Sequence, residues 1–174
     1  MSAISIDVII GTAARGKISK RWVSEVTLKT LRVVLGREHM LERGVNVSVV
    51  VTDDETVQSL NKQYRGEDKV TDVLSFSLNH WGHWYGLDES KPSPPEMEFV
   101  LPPGEAQPLG EIIISYQQAR RQSSSQGNTL RVVRGEIAYL IIHGSLHLLG
   151  YDHVLPDEEI IMKKKEQEVL DGLS

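Results

Sequence analysis

The sequence contains no cysteine, and this absence removes several classes of protein at once. A disulfide-stapled scaffold, a cysteine nucleophile and any metal or iron–sulfur site held by thiolates are excluded. Long hydrophobic runs are also missing: the longest strictly apolar run, Ile137–Ile142, falls far short of the roughly 20 residues of a membrane-spanning helix. No basic segment followed by an apolar stretch opens the chain, so no secretory signal is expected. We therefore expect a soluble, cytoplasmic protein that does not act at a membrane.

Size and composition are those of one ordinary globular domain, but the charged residues are unevenly distributed along the chain. The chain has 174 residues, 40% of them apolar and 25% charged, and a net charge of −5, which is typical of a single folded domain. Residues 1–50 nevertheless carry eight basic and four acidic side chains, and residues 115–134 carry four arginines and no acid. Basic surfaces can therefore coexist with an acidic total, although solvated helix faces would give the same pattern.

Hydrophobic periodicity divides the chain into strands and helices. Alternating apolar residues predict strands over 4–10 and 45–51, and short apolar segments predict two more over 72–77 and 112–114. Helical spacing and capping residues predict helices over about 19–36, 53–64, 116–126, 129–149 and 156–170. This order predicts an α+β fold in which about five helices cover a small mixed sheet of about four strands.

A segment rich in proline and acidic residues separates the third and fourth predicted strands. Residues 79–108 hold six of the seven prolines and five acidic side chains. Prolines at this density prevent helix formation and weaken strand pairing. We therefore predict one domain over residues 1–174, interrupted by a long surface insertion at about 79–108.

Three of the six histidines lie within eleven residues, in the order His143, His147 and His153. His143 and His147 are four residues apart on a predicted helix, so their rings lie on one face. Gly150 can adopt the left-handed conformation that ends a helix, and the chain can then return His153 toward the same point. Three imidazoles around one ion leave a fourth position for water or substrate, as in a catalytic zinc site.

The spacing H-x-x-x-H-x-x-G-x-x-H is shared with the metzincin proteases, with one difference. Metzincins place a glutamate after the first histidine as general base for the metal-bound water. Here that position is Gly144, which has no side chain to accept a proton. The pattern therefore predicts a zincin-like metal site on a helix and the turn after it, without the metzincin mechanism of peptide hydrolysis.

Three blocks of sequence resemble the bacterial YbeY metalloproteins. The run from His143 to His153, HGSLHLLGYDH, is similar to that family's histidine motif, including the glycine in second place. The stretch LNKQYRGEDKVTDVLSF over 60–76 resembles its second block, and LGEIIIS over 109–115 resembles its third, which more often has aspartate where this chain has Glu111. The resemblance runs from about residue 45 to the end.

This resemblance implies a single-strand-specific, metal-dependent endoribonuclease. It implies action in the maturation of the 3′ end of 16S ribosomal RNA and in ribosome quality control, with single-stranded RNA and the small ribosomal subunit, but not DNA, as partners. It assigns His143, His147 and His153 as metal ligands and Arg65 as a functional residue. Three imidazoles suit one Zn²⁺ ion, and another divalent transition metal such as Ni²⁺ would also fit.

Several alternatives remain open from the residues alone. Arg65 can bind phosphate oxygens through its planar guanidinium, or it can be a surface arginine paired with Glu67 or Asp68. Glu136 and Asp152 can each support a ligand or be an ordinary surface charge. A ribosome-associated assembly factor with a structural metal would share the histidine motif, and a metallopeptidase is the less favoured third hypothesis because of Gly144.

Overall fold

The protein is described by a computed structural model that covers residues 4–42, 44–78, 105–127 and 129–173. Four strands and five α-helices make up the described residues, and their order confirms the α+β architecture predicted from the sequence. In chain order they are β1 (Ile4–Ile10), α1 (Lys20–Glu42), β2 (Val45–Thr52), α2 (Asp54–Arg65), β3 (Val73–Ser77), β4 (Gln107–Ser115), α3 (Tyr116–Ser123), α4 (Leu130–Leu148) and α5 (Pro156–Leu173). Most of the predicted insertion, residues 79–104, lies outside the described residues.

The sheet is mixed, with the strand order β1-β2-β4-β3. β1, β2 and β4 are parallel, and β3 pairs with β4 in the antiparallel direction. The register between β2 and β4 shifts beside Pro108, where proline cannot donate a ladder hydrogen bond. Within the described residues β3 is therefore an edge strand, hydrogen-bonded only to β4.

Both faces of β4 are buried, as its unbroken apolar sequence predicts. Ile112 and Ile114 belong to the large core formed with α1 and α4, whereas Ile113 belongs to a smaller cluster with Val57 of α2 and Leu74 of β3. Successive residues of a strand point to opposite faces. α4 therefore packs on one face of the sheet and α2 on the other.

Two elements differ from the sequence prediction. Gly36 was predicted to end the first helix; it interrupts α1 with a φ of 70°, and helical backbone then continues to Glu42. β4 begins at Gln107, five residues before its predicted start, because pairing with β2 and β3 outweighs the low strand propensity of Pro108 and Gly110. Within the described residues, no helix is both long and apolar enough to cross a bilayer.

Candidate metal centre

The three histidines are placed by α4 and by the turn that ends it. Thr129 caps the start of the helix, its hydroxyl accepting a hydrogen bond from the Val132 amide. At the other end, Gly150 has a φ of 92°. The Gly150 amide donates a hydrogen bond to the His147 carbonyl, and the Tyr151 amide donates one to the Leu146 carbonyl. This pair of bonds is a Schellman motif, which reverses the chain direction after a helix. The predicted role of Gly150 is confirmed.

That reversal brings all three imidazoles together. One ring nitrogen from each of His143, His147 and His153 lies within 4.8 Å of the others. His143 and His147 are partly buried and His153 is exposed, so the cluster opens to solvent on one side. The structure therefore assembles the three residues that sequence spacing singled out.

The donor set fits a divalent ion. Nitrogens bound at about 2.0–2.1 Å to one tetrahedral ion lie about 3.3 Å from each other, and Nε2 of His143 is 3.1 Å from Nε2 of His147. Burial, together with the neighbouring His143 and His153, lowers the pKa of His147 to about 4. At neutral pH His147 is therefore uncharged and keeps a lone pair for a metal.

A buried carboxylate fixes the orientation of the first histidine. Glu166 of α5 is only 6% exposed, and its Oε1 accepts a hydrogen bond from Nδ1 of His143 at 2.7 Å. Its Oε2 is 3.5 Å from the hydroxyl of Tyr139. Because the proton of this bond sits on Nδ1, Nε2 of His143 is unprotonated. Its lone pair faces His147 and can bind a metal ion. Sequence reasoning missed Glu166, since it lies on a different helix with no fixed spacing from the motif.

Among the described residues, the two acidic residues weighed from the sequence form no hydrogen bond to the three imidazoles. Glu136 lies near Tyr139 rather than bonded to a histidine of the cluster, and its pKa is raised by burial and by the nearby Asp72. Asp152 accepts a hydrogen bond at 2.8 Å from the backbone amide of His153. It therefore stabilises the turn that carries His153.

Gly144 faces the sheet, away from the cluster. A Cβ built at this position would lie 2.8 Å from Cγ2 of Ile112 and 3.0 Å from Oγ of Ser75. The helix approaches β4 and β3 so closely that any side chain there would have to displace those of Ile112 and Ser75. A general base cannot be supplied from this position.

Arg65 ends α2, on the other face of the sheet. The preceding Tyr64 packs edge-on against Phe76 of β3, with ring centroids 5.1 Å apart. The preceding residue of the same strand, Ser75, faces Gly144 of α4. Arg65 and the histidine cluster therefore flank one edge strand, with no contact between them among the described residues.

The acidic neighbours of Arg65 are paired with lysines. Glu67 forms a salt bridge with Lys69 at 2.8 Å, and Asp68 forms one with Lys62 at 2.6 Å. Arg65 is exposed and forms no salt bridge within the described part of the chain. Glu67 and Asp68 therefore form their direct ion pairs with lysines, while the charge of Arg65 is a weaker influence that also lowers the pKa of Glu67.

Fold and site together define a small α+β protein with a three-histidine cluster suited to a metal ion. Comparison with known proteins agrees with this class. The family model described as "Endoribonuclease YbeY" matches residues 10–174. Proteins named Endoribonuclease YbeY include one from Thermoanaerobacter pseudethanolicus, 41% identical over 87% of this chain and 88% of its own, and one from Bacillus licheniformis, 36% identical over 94% of each chain.

A solved structure shows the same fold. The solution structure of a Thermotoga maritima protein superposes with a TM-score of 0.51 and 24% identity, covering 95% of this chain and 91% of that one. The family match and the identities establish the relationship more firmly than the fold does. The chain belongs to the YbeY family of endoribonucleases, as the sequence motifs indicated.

Proposed function

We propose that this protein is a cytoplasmic, metal-dependent endoribonuclease that cleaves single-stranded RNA. Its proposed substrate is ribosomal RNA on the small ribosomal subunit, where it matures the 3′ end of 16S RNA and acts in ribosome quality control. The observation that carries the proposal is the cluster of three imidazoles within 4.8 Å, open to solvent on one side, in a chain of an endoribonuclease family.

In this proposal His143, His147 and His153 hold one divalent ion, with Zn²⁺ best suited to three imidazoles and Ni²⁺ the alternative. When bound, such an ion polarises a phosphoryl oxygen and lowers the pKa of a coordinated water. Glu166 keeps the ring of His143 in the ligating orientation. The exposed side of the cluster, at His153, admits the phosphodiester.

Arg65 is proposed to bind the phosphate group. A guanidinium presents paired donors that match two phosphate oxygens and stabilise charge that develops there. Its acidic neighbours form their direct salt bridges with Lys62 and Lys69, and the exposed guanidinium, which forms no salt bridge among the described residues, can turn to an anionic ligand. Because Arg65 and the cluster flank β3, we infer that the RNA strand runs along the outer edge of this strand.

Peptide hydrolysis is the weaker candidate. The metzincin mechanism needs a carboxylate directly after the first histidine. Gly144 supplies none, and its direction toward Ile112 leaves no place for one. This chain therefore shares the histidine spacing of the metzincins but lacks the general base that their peptide hydrolysis requires.

The experiment is cleavage of an end-labelled single-stranded RNA by the untagged protein, beside His147→Ala purified in the same way. We expect cleavage by the wild type alone, and loss of that cleavage with chelator. Equal cleavage by both proteins would reveal a contaminating nuclease. No cleavage by either, with RNA binding retained, would favour an assembly factor with a structural metal.

A further inference from the structure

A strongly basic surface lies at the end of the molecule remote from the histidine cluster. Residues 11–24 and 115–135 together hold eight of the 19 basic residues and none of the 24 acidic ones. The remainder of the chain is correspondingly acidic. Charge in this protein is therefore separated in space far more than its net value of −5 suggests.

Tertiary contacts join these two segments into one surface. The guanidinium of Arg134 donates to the Lys17 carbonyl at 3.0 Å and lies 5.9 Å from the ring centre of Trp22. Nζ of Lys17 lies 4.9 Å above the ring of Tyr116, the first residue of α3. The starts of α1, α3 and α4 thus meet here. We call it the basic end surface, and define it by Arg15, Lys17, Lys20, Arg131 and Arg134.

Among the described residues, no carboxylate pairs with the cations of this surface. Nearby acids are already used: Glu25 pairs with Arg21 at 2.9 Å and Asp54 with Arg121 at 2.8 Å. Within the described residues, none of the five cations of the basic end surface forms a salt bridge. The first turns of α1 and α4 also begin here, and their dipoles add to the positive potential.

The surface is separate from the candidate metal centre. Arg131 precedes His143 by twelve residues on the same helix, which corresponds to about 18 Å of helix length. A ligand that touched both would therefore have to be extended, and the positive charge of this surface favours a polyanion such as an RNA strand of several nucleotides. Exposed cations that form no ion pair among the described residues bind a phosphate backbone without reading its sequence.

We propose that the basic end surface is a second RNA-binding surface, which holds the phosphate backbone of the substrate away from the site of cleavage. This inference rests on the proposed function and extends it. The surface contributes affinity for long RNA and has no part in the chemical step. Cleavage of a very short RNA is therefore independent of it.

The test uses the triple variant Arg15→Gln, Lys20→Gln and Arg131→Gln, whose side chains are exposed. The matched control is Lys29→Gln, Arg32→Gln and Lys164→Gln, which removes the same charge from exposed positions elsewhere. Binding of a 30-nucleotide single-stranded RNA is measured by anisotropy at several salt concentrations, in a His147→Ala background that prevents cleavage. Circular dichroism establishes that each variant is folded.

We expect the triple variant to bind the long RNA about tenfold more weakly than the control does. The slope of its plot of log K against log salt concentration should be shallower by about two. Each phosphate contact to a single strand contributes about 0.7 to this slope, and the variant removes three cations. With His147 restored, KM for the long RNA should rise with kcat unchanged. Both constants for a four-nucleotide RNA should stay as in the wild type.

Three results would overturn the inference. The affinity and salt slope of the triple variant could equal those of the control. The four-nucleotide RNA could lose as much affinity as the long one, which would place these cations in the cleavage site. RNA binding could be unchanged while binding to an acidic polyglutamate peptide is lost, which would make this a protein-docking surface. Absence of cleavage by the wild type would instead refute the proposed function, and the salt slope would still decide the role of the surface.

Discussion

Among the described residues, Glu166 is the side chain outside the histidine motif that hydrogen-bonds to a ring of the candidate metal centre. Its carboxylate is almost fully buried and accepts the Nδ1 proton of His143 at 2.7 Å. A buried carboxylate is costly unless it is hydrogen-bonded, and here that bond also selects the ligating nitrogen. Residues that orient metal-binding histidines in this way typically change metal affinity by about 10- to 100-fold when replaced.

We therefore expect Glu166→Gln to weaken Zn²⁺ binding by about 10- to 100-fold, because an amide fixes the His143 tautomer less firmly than a carboxylate. The measurement is a competition titration against a chromogenic chelator. Glu168→Gln is the control, since Glu168 lies on the same helix but pairs with Lys165 at the surface. Equal Zn²⁺ affinity in Glu166→Gln and Glu168→Gln would show that Glu166 does not act through His143.

At the scale of elements, the C-terminal turn of α4 decides whether the motif can form a site. His143 and His147 share a helix face by spacing alone, but His153 reaches them only after the Schellman turn at Gly150. A φ of 92° is unfavourable for any residue with a Cβ. The glycine therefore determines both the stability of the helix end and the position of the third ligand.

Gly150→Ala should lower the free energy of unfolding by about 1 kcal/mol and weaken metal binding, because His153 is displaced. Gly135→Ala is the control on the same helix. It has helical backbone and no atom within 4 Å of an added Cβ, so it should stabilise the protein by about 0.5–1 kcal/mol. Urea unfolding and the chelator titration measure both effects. Unchanged metal affinity in Gly150→Ala would contradict the role given to the turn.

At the scale of the whole molecule, carboxylates hydrogen-bonded or paired with cations couple stability to pH. The pKa of Asp54 is lowered from its ordinary value of 3.8, first by the Arg121 guanidinium. The pKa of Asp53 is lowered by the Thr56 amide that it caps, and that of Asp68 by Lys62. In each case the folded protein holds its proton less tightly than the unfolded chain does.

Stability from these groups is fully present above about pH 5, decreases as pH falls below the ordinary pKa of 3.8, and is lost as pH falls through the lower folded pKa values. We expect the free energy of unfolding of the metal-free protein, measured with urea, to decrease steadily from pH 4 to pH 2.5. Asp54→Asn should show a shallower decrease, because one of the contributing carboxylates is absent. A flat profile over this range, or an identical slope in the variant, would refute the assignment.

The sequence predicted most of this architecture because its signals are local. Hydrophobic spacing located the strands and helices, and the placing of Gly150 between His147 and His153 predicted the turn. β4 was predicted too short, since its first residues are ordered by pairing with strands that no local pattern identifies. Gly144 was recognised as lacking a base, but its packing against Ile112 became visible only in the structure.

By itself, the sequence determined the fold class, the three clustered histidines and the family, because motif spacing and periodicity are properties of the chain. Tertiary structure decided which partners those residues meet. Glu166 reaches His143 because α5 packs beside α4, and Arg134 reaches Lys17, 117 positions earlier, because α1 and α4 pack side by side. Contacts between residues so far apart depend on how elements pack, and no local pattern in the chain records that.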